Sequence, residues 1–211
     1  MGFAQIETNL GINLNDASQV HFTQADLVAS LQDSYDDIVC RSQCIIKKVT
    51  LNWPSDLSYY DFKNDSQFGP VSDFMVVTAI YNNTTKRWLQ DDLSLSQFDK
   101  LRTYWEIWYG TPNWWAFASL SKCAVTPRQL IGVGTFDLYY WALAPTVGSS
   151  DTPLVASDMY KLFEQYSTAD LLDTVNEYTK ASIWRADYEM LLEEYIDRTK
   201  VLCRSDLRLL I

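Results

Sequence analysis

His21 is the only histidine in the chain, so any neutral-pH acid–base or Ser/Cys nucleophile chemistry would most readily turn on it. It sits beside Phe22 at the end of a polar N-terminal stretch, and no Gly-x-Ser-x-Gly elbow surrounds any serine. We therefore expect His21 to mark the start of a helix and not to act as a base. Cys40, Cys44, Cys123 and Cys203 form no Cys-x-x-Cys pair and have one histidine between them, a poor set for zinc. Free thiols used as small apolar side chains are expected. The carboxylate pairs Asp36-Asp37, Asp91-Asp92 and Glu193-Glu194 invite comparison with glycoside hydrolysis. Neighbours on a helix point apart, however, so Asp36-Asp37 and Glu193-Glu194 read as solvated faces and Asp91-Asp92 as a turn. Trp53, Trp105, Trp108, Trp114 and Trp115 would serve a sugar-stacking platform, a partner interface or a core, and their spacing does not separate the three. Gly132-x-Gly134 leads into a strand, not a helix, and so lacks the helix N-terminus that binds phosphate. No metal, cofactor or catalytic residue is expected.

The elements that would position these residues follow from periodicity. Residues 1–20 are polar and aperiodic and are expected to form an extended arm toward a neighbour. Thr23 with Asp26 has the form of a capping box, and Leu27, Leu31, Tyr35 and Ile38 recur at helical spacing, predicting a helix to about Arg41 or Gln43. From Cys44 the period falls to two, with Ile46, Val49 and Leu51 among Lys47, Lys48 and Thr50, predicting a strand that ends at Trp53-Pro54. Short strands are expected from Asp56 to Phe62, from Phe74 to Tyr81 with its return at Lys86 to Leu89, through Trp114 to Phe117, and from Gly132 to Trp141. A short helix capped by Ser96 and Asp99 is expected between Ser94 and about Trp105. After Pro145, Ser157 reads as the cap of a second helical region carrying Met159, Leu162, Phe163, Tyr166 and Ala169, and residues from Tyr178 to about Cys203 repeat the pattern with Trp184, Tyr188, Leu191 and Tyr195, predicting a pair of helices or one long kinked helix. The expected class is α+β: a helical core (21–43 and 154–203), a strand-rich middle (44–145), and extended termini at 1–20 and 204–211.

Composition limits the partners. The chain has 211 residues, enough for one domain with a real core. A formal charge of −10 argues against gripping a phosphate backbone. No apolar run approaches the roughly 20 residues of a membrane span, and the first residues lack the features of a secretory signal, so a cytoplasmic protein without membrane contact is expected. Eight Trp, thirteen Tyr and nine Phe are a heavy aromatic load, suited to broad interfaces or a thick core.

Read in order, TQADLVASLQDSYDDIVCRSQC, IIKKVTLNWP, DLSYYDF, VSDFMVVTAIYNNTTKRWLQDDLSLSQFDKL, WYGTPNWWAF, GTFDLYYWALAPTVGSSDTPLV and MYKLFEQYSTADLL make a recognisable succession. Its sharpest pieces are Gly110-Thr111-Pro112 before an aromatic strand, Leu138-Tyr139-Tyr140-Trp141 with Pro145, and Asp151-Thr152-Pro153 ahead of the last helices. Over roughly residues 20–200 the chain resembles the head-to-tail adaptor, or connector, proteins of tailed bacteriophages, which sit beneath the portal ring. The resemblance implies a virion protein at the head–tail junction, assembled in the host cytoplasm into a ring of commonly about twelve copies. Such a ring holds the portal on one side and a tail or nozzle protein on the other, and DNA passes through without specific binding. It implies no enzymatic activity. At segment level it implies portal contacts through Arg204, Leu207, Arg208, Leu209, Leu210 and Ile211. Trp105, Trp108, Trp114, Trp115 and Phe117 become candidates for subunit or tail contacts, and Asp36 and Asp37 for an acidic channel wall that repels DNA. The competing expectation is a carbohydrate-binding, tail-associated virion protein using the tryptophan-rich middle.

Overall fold

The computed structural model describes residues 2–16, 19–53, 57–64, 71–101, 103–128, 134–148 and 151–209, with the side chains of Leu101 and of 199–209 excepted. The chain is α+β, with helices toward both ends and antiparallel strands between them. It divides into two compact units, one made of residues 1–45 and 144–211, the other of residues 46–143.

The first unit is helical. Its first helix, α1 (Phe3–Asn13), occupies the segment expected to be an extended arm. Phe3, Ile6 and Leu10 recur every three to four residues and are fully buried, which supplies the tertiary packing that a short polar helix needs. Phe3 meets Tyr35 and Phe163 with ring centroids 5.7 Å apart in each case, and Tyr35 meets Phe163 at 5.4 Å. Asp16 closes the turn that follows, accepting the backbone N–H groups of Val20, His21 and Phe22 at 2.8–2.9 Å.

Helix α2 (Gln24–Ser42) starts at the expected capping box, in which Asp26 accepts from the Thr23 backbone at 2.8 Å and Thr23 Oγ1 accepts from the Asp26 N–H. It ends at Gln43, whose φ of 52° is left-handed. Two more helices belong to this unit: α4 (Tyr160–Thr174), entered through a 3-10 turn over Ser157–Met159, and α5 (Tyr178–Leu209). Helix α4 packs against α1, α2 and α5 at once. Accordingly it buries Leu162, Phe163, Gln165, Ser167, Thr168, Ala169 and Leu171, residues that encircle the helix and do not share a single stripe. The backbone of 204–209, expected to be an extended tail, continues α5. Leu210 and Ile211 lie outside the described residues.

The second unit holds two antiparallel sheets. One has the order β1 (Ile46–Asn52), β7 (Thr135–Ala142), β3 (Phe74–Asn82), β4 (Arg87–Trp88), and the other the order β2 (Tyr59–Asp61), β6 (Lys122–Thr126), β5 (Trp114–Phe117). Period-two alternation places Phe136, Leu138, Tyr140 and Ala142 of β7 on a buried face. That face meets Trp53, Tyr60, Phe62 and Phe74 in one aromatic core, where Trp53 lies 4.3 Å from Phe136 and Phe62 5.5 Å from Phe74. A second cluster joins Phe98, from the short helix α3 (Leu95–Leu101), to Trp105, Ala116 and Ala124. Helix α3 is fixed at Ser94, not Ser96: the Gln97 side chain reaches back to accept the Ser94 N–H at 2.6 Å. Gly134 takes φ +112°, and a Cβ there would stand 2.0 Å from Thr84 Oγ1, so the second glycine of the Gly-x-Gly pair answers a steric demand of the sheet.

Candidate assembly surfaces

The aromatic candidates from the sequence separate into two groups. Trp105 and Trp115 are 3% and 1% exposed and belong to the core of the second unit. Asp99, expected as a cap, instead accepts from the Trp105 indole N–H at 3.0 Å and orients it. Trp108 and Trp114 are half-buried, and Phe117 is 53% exposed at the end of β5, near Leu120 in the following turn. Trp53 is buried as well, so three of the five tryptophans on which a sugar-stacking surface would draw face inward.

The sheet brings together a different aromatic set. On the face of β7 opposite the core stand Asp137, Tyr139 and Trp141, and cross-strand register places Tyr81 opposite Asp137 and Trp88 opposite Tyr81. Trp88 lies 5.1 Å from both Tyr81 and Tyr139, with ring planes inclined at 63° and 48°, and all of these rings are half-buried. Inclined rings make a corrugated surface that suits interdigitating side chains better than the flat face of a sugar. This row was legible in principle from the alternation in FDLYYWA, where every second residue shares a face.

Asp137 anchors one end of the row. The residue is 6% exposed, and its carboxylate accepts from Lys48 Nζ at 2.8 Å, Thr50 Oγ1 at 2.7 Å and Asn83 Nδ2 at 2.8 Å. Burial pushes its pKa up, but these three donors outweigh burial and hold it below the usual aspartate value. The Lys48 ammonium also lies 5.8 Å from the Tyr139 ring centre. On the other side of the sheet Asp73 accepts from Lys47 at 2.5 Å and from the Tyr140 hydroxyl at 3.0 Å. Burial and this hydrogen bond together push the Tyr140 phenol up to about 12.

In the helical unit the acidic pair has divided roles. Asp36 is exposed and accepts from Gln32 at 3.2 Å. Asp37 turns inward to accept the Tyr188 hydroxyl and to pair with Arg41 at 3.4 Å. Arg41 also makes a two-pronged contact with Glu189 at 2.9 and 2.6 Å, and Arg185 pairs with Asp173 at 2.6 Å. Asp37, Arg41, Arg185, Tyr188 and Glu189 line a cavity of about 70 Å³, and these contacts tie α2, α4 and α5 together. The charges there pair with partners of opposite sign, so the arrangement is a clamp. His21 is exposed beside the Asp16 turn. Cys40 is exposed, Cys44 half-buried and Cys123 fully buried, where burial raises its thiol pKa and keeps it an apolar filler. Among the described residues, no three His, Cys, Asp or Glu side chains are grouped to hold a metal ion, and no helix is long and apolar enough to cross a membrane.

No protein-family model matches the chain, and no curated protein matches its sequence.

Beyond the sheet, apolar side chains also stand out from the helical unit. On α5, Ile183 and Met190 are 61% and 62% exposed, seven residues apart and hence on one side of the helix, with Ala186 between them. The opposite side of α5 buries Ala181, Tyr188 and Leu192. The side chains of Arg204, Leu207, Arg208 and Leu209 lie outside the described residues.

Proposed function

We propose that this chain is a structural virion protein of the head-to-tail adaptor type, forming a ring that joins a portal to a tail and leaves a channel for DNA. The observation that carries the reading is the arrangement of the chain: both ends build one helical unit, and a strand-rich unit is inserted between them. That arrangement agrees with the succession of segments that resembles adaptors, in which the helical core makes the ring and the strand-rich part reaches toward the tail. The exposed apolar line on α5 is suited to a neighbouring copy, and the inclined aromatic row of the sheet is suited to a protein partner. A net charge of −10 per copy, multiplied by ring symmetry, keeps passing DNA from adhering.

In this reading Asp36 remains the candidate for the acidic wall, while Asp37 is neutralised within its own chain. The portal contact is assigned to residues 204–211. Deleting Leu207 to Ile211 is expected to abolish co-sedimentation with portal rings while leaving the circular dichroism spectrum unchanged, and undiminished co-sedimentation would refute that assignment. The sugar-binding alternative loses the buried Trp53, Trp105 and Trp115, and glycan-array binding through Tyr81, Trp88 and Tyr139 would restore it.

A further inference from the structure

One edge of the smaller sheet is left unfinished. In β6, Val125 donates to the Ser58 carbonyl on one side at 2.8 Å, while the Lys122 carbonyl accepts from Ala118 on the other at 3.0 Å. The alternation therefore points the backbone of Ala116 toward β6 and that of Trp115 and Phe117 outward. Among the described residues, Gln90 alone takes up this edge: its N–H donates to the Asn113 carbonyl at 2.8 Å, and its carbonyl accepts from Trp115 at 2.9 Å. The chain then leaves through Asp91 toward Ser94. The Trp115 carbonyl and both backbone groups of Phe117 have no backbone partner among the described residues.

A groove of about 390 Å³ opens at this place. Its apolar part is formed by Leu93, Leu95, Ala116 and Phe117, and Asp91 and Asp92 stand exposed on its rim. Neither aspartate has an ion-pair partner among the described residues, unlike Asp37, Asp61, Asp73, Asp137 and Asp173. Open strand edge, apolar floor and unpaired acidic rim coincide.

We propose that this groove takes an extended peptide segment of another protein in which basic and apolar side chains alternate, added as a further strand on the outer edge of β5. A residue lying beyond Gln90 would donate its N–H to the Trp115 carbonyl and accept the Phe117 N–H. Successive side chains of a strand face opposite ways, so one set rests on Leu93, Leu95 and Phe117 while the other reaches Asp91 and Asp92. The site goes beyond the adaptor reading and does not depend on it.

The probe is the synthetic peptide Arg-Val-Arg-Val-Arg-Val, with Glu-Val-Glu-Val-Glu-Val as its charge-reversed control, titrated into the full chain. Binding of the first and not the second is expected, together with slowed amide exchange at Phe117. The D91N/D92N double variant is expected to weaken binding roughly ten-fold, while E193Q/E194Q, equally reduced in charge but carried by the helical unit and not by the unit that holds the groove, leaves it unchanged. Phe117→Pro removes the edge N–H and is expected to weaken binding similarly. Because that change risks the fold, exchange at Phe117 in the unmodified chain is the independent reading. Equal losses in the two acidic double variants, or unaltered Phe117 exchange, would overturn the proposal.

Discussion

Asp137 is where burial and hydrogen bonding compete most directly. Because its pKa is held below that of an unfolded chain, its contribution to stability is fully present above about pH 4, the ordinary aspartate range, and is lost as pH falls through the lowered value. Asp137→Asn is therefore expected to lower the urea midpoint at pH 7, and the difference from the unmodified protein is expected to shrink on acidification below pH ~4. A difference that stays constant down to pH ~3 would show that the carboxylate's charge contributes nothing. Arg41→Ala removes the two-pronged contact to Glu189 but leaves the Tyr188 hydroxyl on Asp37. Both partners are partly exposed, so a loss of about 1 kcal/mol in denaturant unfolding is expected. At this scale the sequence exposes residue types but not their orientation: Trp114 and Trp115 are adjacent, and only the direction of the β5 pleat decides which is buried.

At the scale of elements, α2 was legible because local signals agree, with a capping box, helical periodicity and a basic residue near its end. Thr23→Ala is expected to cost about 1 kcal/mol by removing that cap, and Gln43→Gly to gain up to about 1 kcal/mol by relieving a left-handed residue. Thermal denaturation of the two variants should shift in opposite directions. Helix α1 reads as an extended arm in the sequence because Thr8, Asn9 and Gly11 have weak helical preference, and its support comes from Tyr35 and Phe163, far along the chain. Leu10→Ala is accordingly expected to destabilise the helical unit by about 2–5 kcal/mol, where a dangling arm would show no effect. The strand Lys122–Thr126 gave no clear alternation because it is central in its sheet and four of its five residues are buried.

At the scale of the whole molecule, the α+β class and the placing of helices at both chain ends follow from how hydrophobic periodicity changes along the sequence. Which surfaces meet partners does not follow from periodicity, because exposed and buried apolar residues share the same alphabet. On α5, Tyr188 and Met190 differ only by a rotation about the helix, yet one is buried and the other open. If the open line serves a neighbouring copy, the I183E/M190E double variant is expected to remain monomeric while its unfolding midpoint stays close to that of the unmodified protein. Mass photometry and urea denaturation together check this.

The adaptor reading is tested most directly by cryo-electron microscopy of the purified chain mixed with portal rings of tailed bacteriophages. The account predicts a ring of this protein capping the narrow end of a portal, with its helical unit forming the ring and its strand-rich unit directed away from the portal. A protein that stays monomeric and leaves every portal bare would contradict it.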